Sequence, residues 1–201
     1  MTAFELFNET GRHLLEDEKP SIFLSDAQRD GLFKKYPFKM LDELMSVEQS
    51  PIHHPEGNVW KHTLMVVDEA TKQKKKSKNQ AIFMWAALLH DIGKASTTEV
   101  KKGRITAYNH DKAGAELSKE FLSAFSTDKV FINKVSQLVR YHMQILFVVN
   151  ELPFADIDGM KQNTDIEEIA LLGLCDRLGR TGRDTKKEEE NVKLFLQKCG
   201  R

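Results

Sequence analysis

An imidazole and a carboxylate stand side by side at His90-Asp91, at the polar end of the apolar run Ala81 to Leu89. Taking a carboxylate out of water is costly unless a partner offsets its charge, and histidine nitrogen and carboxylate oxygen both coordinate divalent cations. An Asp at a helix C-terminal turn beside a satisfied core histidine would spell the same two residues. The rest of the chain decides between them. His62, His110, His142 and Asp176 join the pair to make four histidines and two aspartates, on the inner face or at an end of five different predicted helices. Six separate buried polar positions would each need partners, whereas six that converge satisfy one another. Helical bundles build metal sites in this way, from side chains on facing helices.

Oxygen and imidazole donors without thiolate suit Mg²⁺, Mn²⁺, Fe²⁺, Co²⁺, Ni²⁺ or Zn²⁺. Two metals sharing the Asp91 carboxylate and a water would use all six side chains, and such a water is nucleophilic at neutral pH. If only His62, His90, Asp91 and Asp176 bind, the site holds one metal, and His110 and His142 become substrate contacts or proton shuttles. Both arrangements stay open. Lys94, one turn after His90, can neutralise a phosphate oxygen, or is simply a lysine favoured by a helix C-terminus. Arg177 and Arg180 carry forked donors that match phosphate, with at least one expected to face solvent. Glu56 could orient a ligand histidine from behind, although a turn acid is the favoured reading. Trp60 and Trp85 read as core or rim aromatics; an exposed Trp60 could stack on a base. A thiol nucleophile at Cys175 is disfavoured, because neighbouring Asp176 would raise its pKa.

Helices must position these groups. Residues 1–16 form a short amphipathic pattern that Gly11 weakens, and 20–47 read as short helices broken by Gly31 and Pro37. Breakers Pro51, Pro55 and Gly57 mark a loop before the helix Val59 to Thr71, where His62 shares a face with Val59 and Val66. The Lys72 to Lys78 run ends that helix in solvent, a reading favoured over a nucleic-acid patch. Gln80 to Leu89 is the next helix, with Gly93 as its terminator, and Thr97 to Tyr108 is a loop or short hairpin. His110 opens the helix His110 to Phe125. His142 continues the apolar stripe of a helix running from Val130 to Leu146, and 147–164 look irregular. Thr164 or Asp165 caps a helix on which Asp176 faces inward with Ile169 and Leu172. The charged segment Asp184 to Gln197 has Val192, Leu194 and Phe195 to dock it.

The totals are those of an ordinary globular chain: 201 residues, 40% hydrophobic, 30% charged, with Lys plus Arg and Asp plus Glu at 30 each. Zero net charge gives no global argument for nucleic acid or membrane, so any anion site must be local. Two cysteines make no disulfide framework, and no signal peptide or membrane span is evident. A cytosolic location is expected.

The ordered residues His62, His90-Asp91 and Asp176 resemble the pattern of the HD superfamily of metal-dependent phosphohydrolases. The likeness extends to one branch. His54-Pro55-Glu56-Gly57-Asn58-Val59-Trp60-Lys61-His62-Thr63-Leu64, then LLHDIGK, then Gly103-Arg104-Ile105-Thr106 leading to Tyr108-Asn109-His110-Asp111-Lys112-Ala113-Gly114-Ala115-Glu116, then Asp176 with Leu178-Gly179-Arg180, resemble the HD domain attached to bacterial CCA-adding tRNA nucleotidyltransferases. These blocks span most of residues 50–182.

The resemblance implies an all-α HD-domain helical bundle (residues 49–201) carrying a short N-terminal helical extension (residues 1–48). It implies hydrolysis of a phosphate ester, with phosphatase and 2′,3′-cyclic phosphodiesterase as the associated activities. In its two-metal members, extra histidines complete the second site, and His110 and His142 stand in matching positions. The nucleotidyltransferase head is missing: Asp156-Ile157-Asp158 spells D-x-D but lacks an upstream sheet and reads as loop. Asn109 stands where the family commonly has Gly before the third histidine, and Asn tolerates the left-handed turn. The expected protein is therefore a metal-dependent phosphohydrolase using one or two divalent ions on a nucleotide, cyclic nucleotide or nucleic-acid terminal phosphate. Asp91 and Lys94 are its expected catalytic residues, with Lys94, Arg177 and Arg180 on the substrate. The alternative is a non-catalytic, metal-containing module that binds RNA or a nucleotide.

Overall fold

The computed structural model describes residues 1–200. It is a mostly helical bundle with one small hairpin. Helices α1 (Ala3–Glu16), α2 (Pro20–Arg29) and α3 (Lys39–Asp42) come first, followed by α4 (Val59–Gln73), α5 (Gln80–Leu89) and the single turn α6 (Lys94–Thr97). Strands β1 (Glu99–Lys101) and β2 (Arg104–Thr106) pair antiparallel, Val100 opposite Ile105. Then come α7 (His110–Ser123), α8 (Lys129–Tyr141), α9 (Gln144–Val149), α10 (Ile157–Asn163), α11 (Ile166–Leu178) and α12 (Thr185–Lys198).

The centre is α5, whose residues Ile82 to Leu89 are all buried. A helix that is apolar on every side must be enclosed, and α5 packs against α1, α4, α8 and α11. Side-chain caps fix where the surrounding helices begin. Asn58 accepts from Lys61 N at 2.9 Å to start α4, and Asn79 accepts from Ile82 N at 3.1 Å to start α5. Asp128 accepts from both Val130 N and Phe131 N to start α8, and Asp165, one of the two expected caps, starts α11. Asn109 takes the left-handed conformation (φ 60°) that the turn into α7 requires.

Several local expectations are corrected. Helix α1 runs unbroken through Gly11, where a Cβ would make only ordinary contact with the Trp85 ring. Helix α5 spans Gln80–Leu89 as expected, but the residue that ends it is His90, not Gly93. Gly93 serves a close approach: a Cβ there would lie 2.1 Å from His110 O and 2.5 Å from Gly114 N. The helix expected from Val130 to Leu146 is two, α8 and α9, and the D-x-D residues open α10, where Asp156 accepts from Gly159 N. The lysine run is not wholly in solvent. Lys74 is buried, and its ammonium donates to the carbonyls of Leu14 and Leu15, tying down the end of α1. At the C-terminus, Leu194 is exposed, while Val192 and Phe195 dock the helix as expected, joined by Leu196 and Cys199.

Candidate metal centre

His62 projects from the second turn of α4, His90 and Asp91 follow the last residue of α5, His110 opens α7, His142 follows α8, and Asp176 lies in the last turn of α11. All six are buried. The Asp91 carboxylate sits between two groups of donors. Its Oδ2 is 3.3 Å from His90 Nε2 and 3.8 Å from His62 Nε2; its Oδ1 is 3.4 Å from His110 Nε2 and 3.7 Å from His142 Nε2. Asp176 Oδ1 completes the first group, 3.0 Å from His62 Nε2.

The tautomers of three rings follow from their neighbours. His90 Nδ1 is 2.8 Å from Ala87 O, His110 Nδ1 is 2.7 Å from Ala107 O, and His142 Nδ1 is 2.6 Å from Val139 O. A carbonyl can only accept, so each Nδ1 carries the proton and each Nε2 keeps its lone pair for the centre. At His90 and His142 the ring satisfies the carbonyl three residues back, one of those a helix C-terminus leaves free. That local bond caps α5 and α8 where His90 and His142 begin.

Burial, together with the nearby His110, holds His142 down to about 4, and burial also lowers His110. Both rings are therefore neutral, yet their Nε2 atoms face each other at 3.2 Å. Two opposed lone pairs in a buried site repel unless a cation lies between them and Asp91. His90 Nε2 and Asp91 Oδ2 are also buried without a well-aligned hydrogen bond. Burial favours protonation of both carboxyls, but the Lys94 ammonium outweighs it at Asp91, and Arg180 and His62 outweigh it at Asp176, so both stay ionised. The neutral imidazoles of His110 and His142, the ionised carboxylates and the unpartnered Nε2 of His90 fit divalent metal ions.

Glu56 proves to be part of this centre rather than a turn acid. Its buried carboxylate accepts from His54 Nδ1 at 2.8 Å and lies 3.0 Å from His62 Nδ1 in a poorly aligned contact, while its other oxygen accepts from Thr181 N. It backs His62 as a carboxylate backs a metal-bound histidine. The sequence also left Gln49 unremarked. Its amide oxygen accepts from Lys94 Nζ at 2.7 Å, while Lys94 Nζ lies 2.7 Å from Asp91 Oδ2. Nothing in the spelling around Gln49 announces this, because the partner is 45 residues away.

Arg180 donates to both oxygens of Asp176 at 3.0 Å, and Arg177 lies 3.8 Å from Glu188. Neither arginine is on the open surface, contrary to the expectation for at least one. Both line, with Lys94, Asp91, His110 and Asp176, a cavity of about 1320 Å³ that opens onto the centre. Trp60 is buried edge-on against Phe33 and is not available to a base. Cys175 is buried, and burial, then Glu69 and Asp176, push its thiol far up, which removes it as a nucleophile.

The HD domain family model matches residues 59–180 of the 201, from the start of α4 to just past α11. The chain belongs to the HD domain family. All six centre residues of this HD domain fall inside the matched segment, whereas His54, Glu56 and Gln49 precede it. Among curated proteins it is similar to the multifunctional CCA protein of Actinobacillus pleuropneumoniae serotype 5b, 32% identical over 120 residues, which is 60% of this chain and 28% of that one. The multifunctional CCA protein of Halorhodospira halophila is 28% identical over 185 residues, covering 89% of this chain and 43% of that one. That of Teredinibacter turnerae is 24% identical over 203 residues, 98% and 47% respectively. The chain thus spans less than half the length of each of these relatives. Among the described residues no helix is long and apolar enough to cross a membrane.

Proposed function

We propose that this HD domain is a metal-dependent phosphohydrolase acting on a nucleotide, cyclic nucleotide or nucleic-acid terminal phosphate. One observation carries the reading: the two oxygens of a single buried aspartate, Asp91, face two separate sets of metal donors. His62, His90, Asp91 and Asp176 would hold one divalent ion, and Asp91, His110 and His142 a second, which favours the two-metal arrangement. When bound, such ions lower the pKa of water and offset the charge that gathers on a phosphate being cleaved.

The protein's own groups do the rest. Backbone carbonyls fix the tautomers of His90, His110 and His142, so that no ring must reorient before binding. Lys94, held between Asp91 and Gln49, keeps one N–H for a phosphate oxygen at the cavity wall. Arg177 and Arg180 bring further cationic charge to the same wall and orient the ester. The chain's place among parts of multifunctional CCA proteins supports a substrate from nucleotide or RNA chemistry.

The test is elemental analysis of protein purified without chelator, paired with turnover of nucleotides, cyclic phosphates and a generic phosphodiester. The double variant H90A/D91A should lose metal and turnover together. Full-rate hydrolysis by metal-free wild-type protein would refute the proposal.

A further inference from the structure

The cavity that opens onto the metal centre is also lined by aromatic residues that metal binding does not use. The loop between α9 and α10 contributes Phe154, 57% exposed, and the turn before α7 contributes Tyr108, 70% exposed. Phe147 lies behind Phe154, ring centroids 5.6 Å apart, and Met143 and Pro153 extend the apolar wall. An exposed phenylalanine on a loose loop would need no explanation. This one is on a loop pinned from beneath. Gln144 is buried, and its side-chain oxygen accepts from Asp156 N at 2.8 Å while its amide donates to Phe154 O at 3.4 Å. Leu152 N donates to Phe147 O at 2.8 Å, and Asp156 caps α10.

We propose that Phe154, presented by the Gln144 clamp, and Tyr108 form the subsite that stacks on the planar base of the substrate and makes this site selective for nucleoside phosphates over sugar phosphates. The inference rests on the phosphohydrolase reading and adds the residues that choose the ester. The lining of one cavity brings two chemistries together: Lys94, Arg177 and Arg180 stand in it with Asp91, His110 and Asp176, and the rings of Tyr108 and Phe154 line it as well. A ligand that carries both a phosphate and a planar aromatic ring matches both. A rigid ring offers a stacking face without an ordering cost, and a clamped loop supplies rigidity.

The test is calorimetric binding to manganese-loaded protein of two phosphonates whose C–P bond resists hydrolysis, adenosine 5′-phosphonate and the matching ribose 5-phosphonate without a base. Stacking on one aromatic face corresponds to roughly a tenfold or larger gain in affinity, so the wild type should prefer the adenosine compound by at least that factor. F154A should erase the preference while leaving the ribose compound unchanged, and F154Y should keep it. Equal wild-type affinity for the two compounds overturns this inference and leaves the phosphohydrolase reading standing. An F154A variant that keeps the preference, or weakens both compounds alike, overturns it too. A wild type that binds neither compound overturns both readings.

Discussion

Replacing Glu56 with Gln isolates one contribution to the metal centre, because it removes a charge while keeping the volume of a fully enclosed side chain. The carboxylate sits against Nδ1 of His62 and of His54, and its remaining oxygen takes Thr181 N. Burial works against its charge, but the nearby His62 ring, its own backbone N–H and the hydrogen bond from His54 prevail and hold the carboxyl at about 2. A neutral amide makes His62 Nε2 a weaker donor and holds its ring less firmly. Loss of such a backing carboxylate lowers metal affinity about 10–100-fold. With metal at 100 times the wild-type Kd, binding stabilises the wild type by about 2.7 kcal/mol, and the variant at the same concentration by only about 0.4–1.4 kcal/mol. For a chain of this size each kcal/mol moves Tm by about 2–4 °C. Manganese should therefore raise the wild-type Tm by about 5–11 °C and that of E56Q by about 1–6 °C. Melting curves with and without metal, alongside a direct metal titration, read both numbers. An E56Q protein with a lower metal-free Tm but an undiminished metal response would refute the argument, since Glu56 would then be only a structural anion.

Three further outcomes are expected. H142A should retain one metal equivalent of two by elemental analysis, because His62, His90, Asp91 and Asp176 remain, whereas D91A should retain neither. G93A should be severely destabilised, since a Cβ 2.1 Å from His110 O meets backbone that cannot rotate away; a cost of about 3 kcal/mol, the upper end for overpacking, lowers Tm by about 6–12 °C in thermal denaturation. K74M should strand the Leu14 and Leu15 carbonyls and cost about 1–3 kcal/mol, read as a lower midpoint in urea; an unchanged midpoint would show that water replaces the ammonium.

The fold was legible where one segment carries its own pattern. The apolar run of α5 demands enclosure whatever surrounds it, and Asn58, Asn79 and Asp165 announce helix starts locally. Legibility failed where the deciding contact is long-range or belongs to the site itself. The stripe through Val130 to Leu146 gives no sign of the break at His142, because the break comes from the ring bonding to Val139 O rather than from a helix-breaking residue. Helix α10 buries only Met160, too little for a periodic signal. Lys74 looks like its lysine neighbours until α1 is laid beside it.

At the site, residue identity and position sufficed to bring the six buried residues together, since each lies on, or directly follows, a helix packed into the core. They did not suffice for Glu56, which lies in a loop where no periodicity constrains its direction. Two residues of equal rank in the sequence thus part company in space. Arg180 turns back on Asp176, while Lys94 is caught between Asp91 and Gln49. Both cations neutralise the carboxylates of the centre before any phosphate arrives. A metal ion held by these carboxylates would compete for the same oxygens and would free Lys94 and Arg180 toward the cavity. Phosphate affinity should therefore rise with metal occupancy through these two side chains as well as through the ions. K94M should weaken phosphate binding to the metal-loaded protein more than to the metal-free protein, and equal weakening in both would show that Lys94 is never released.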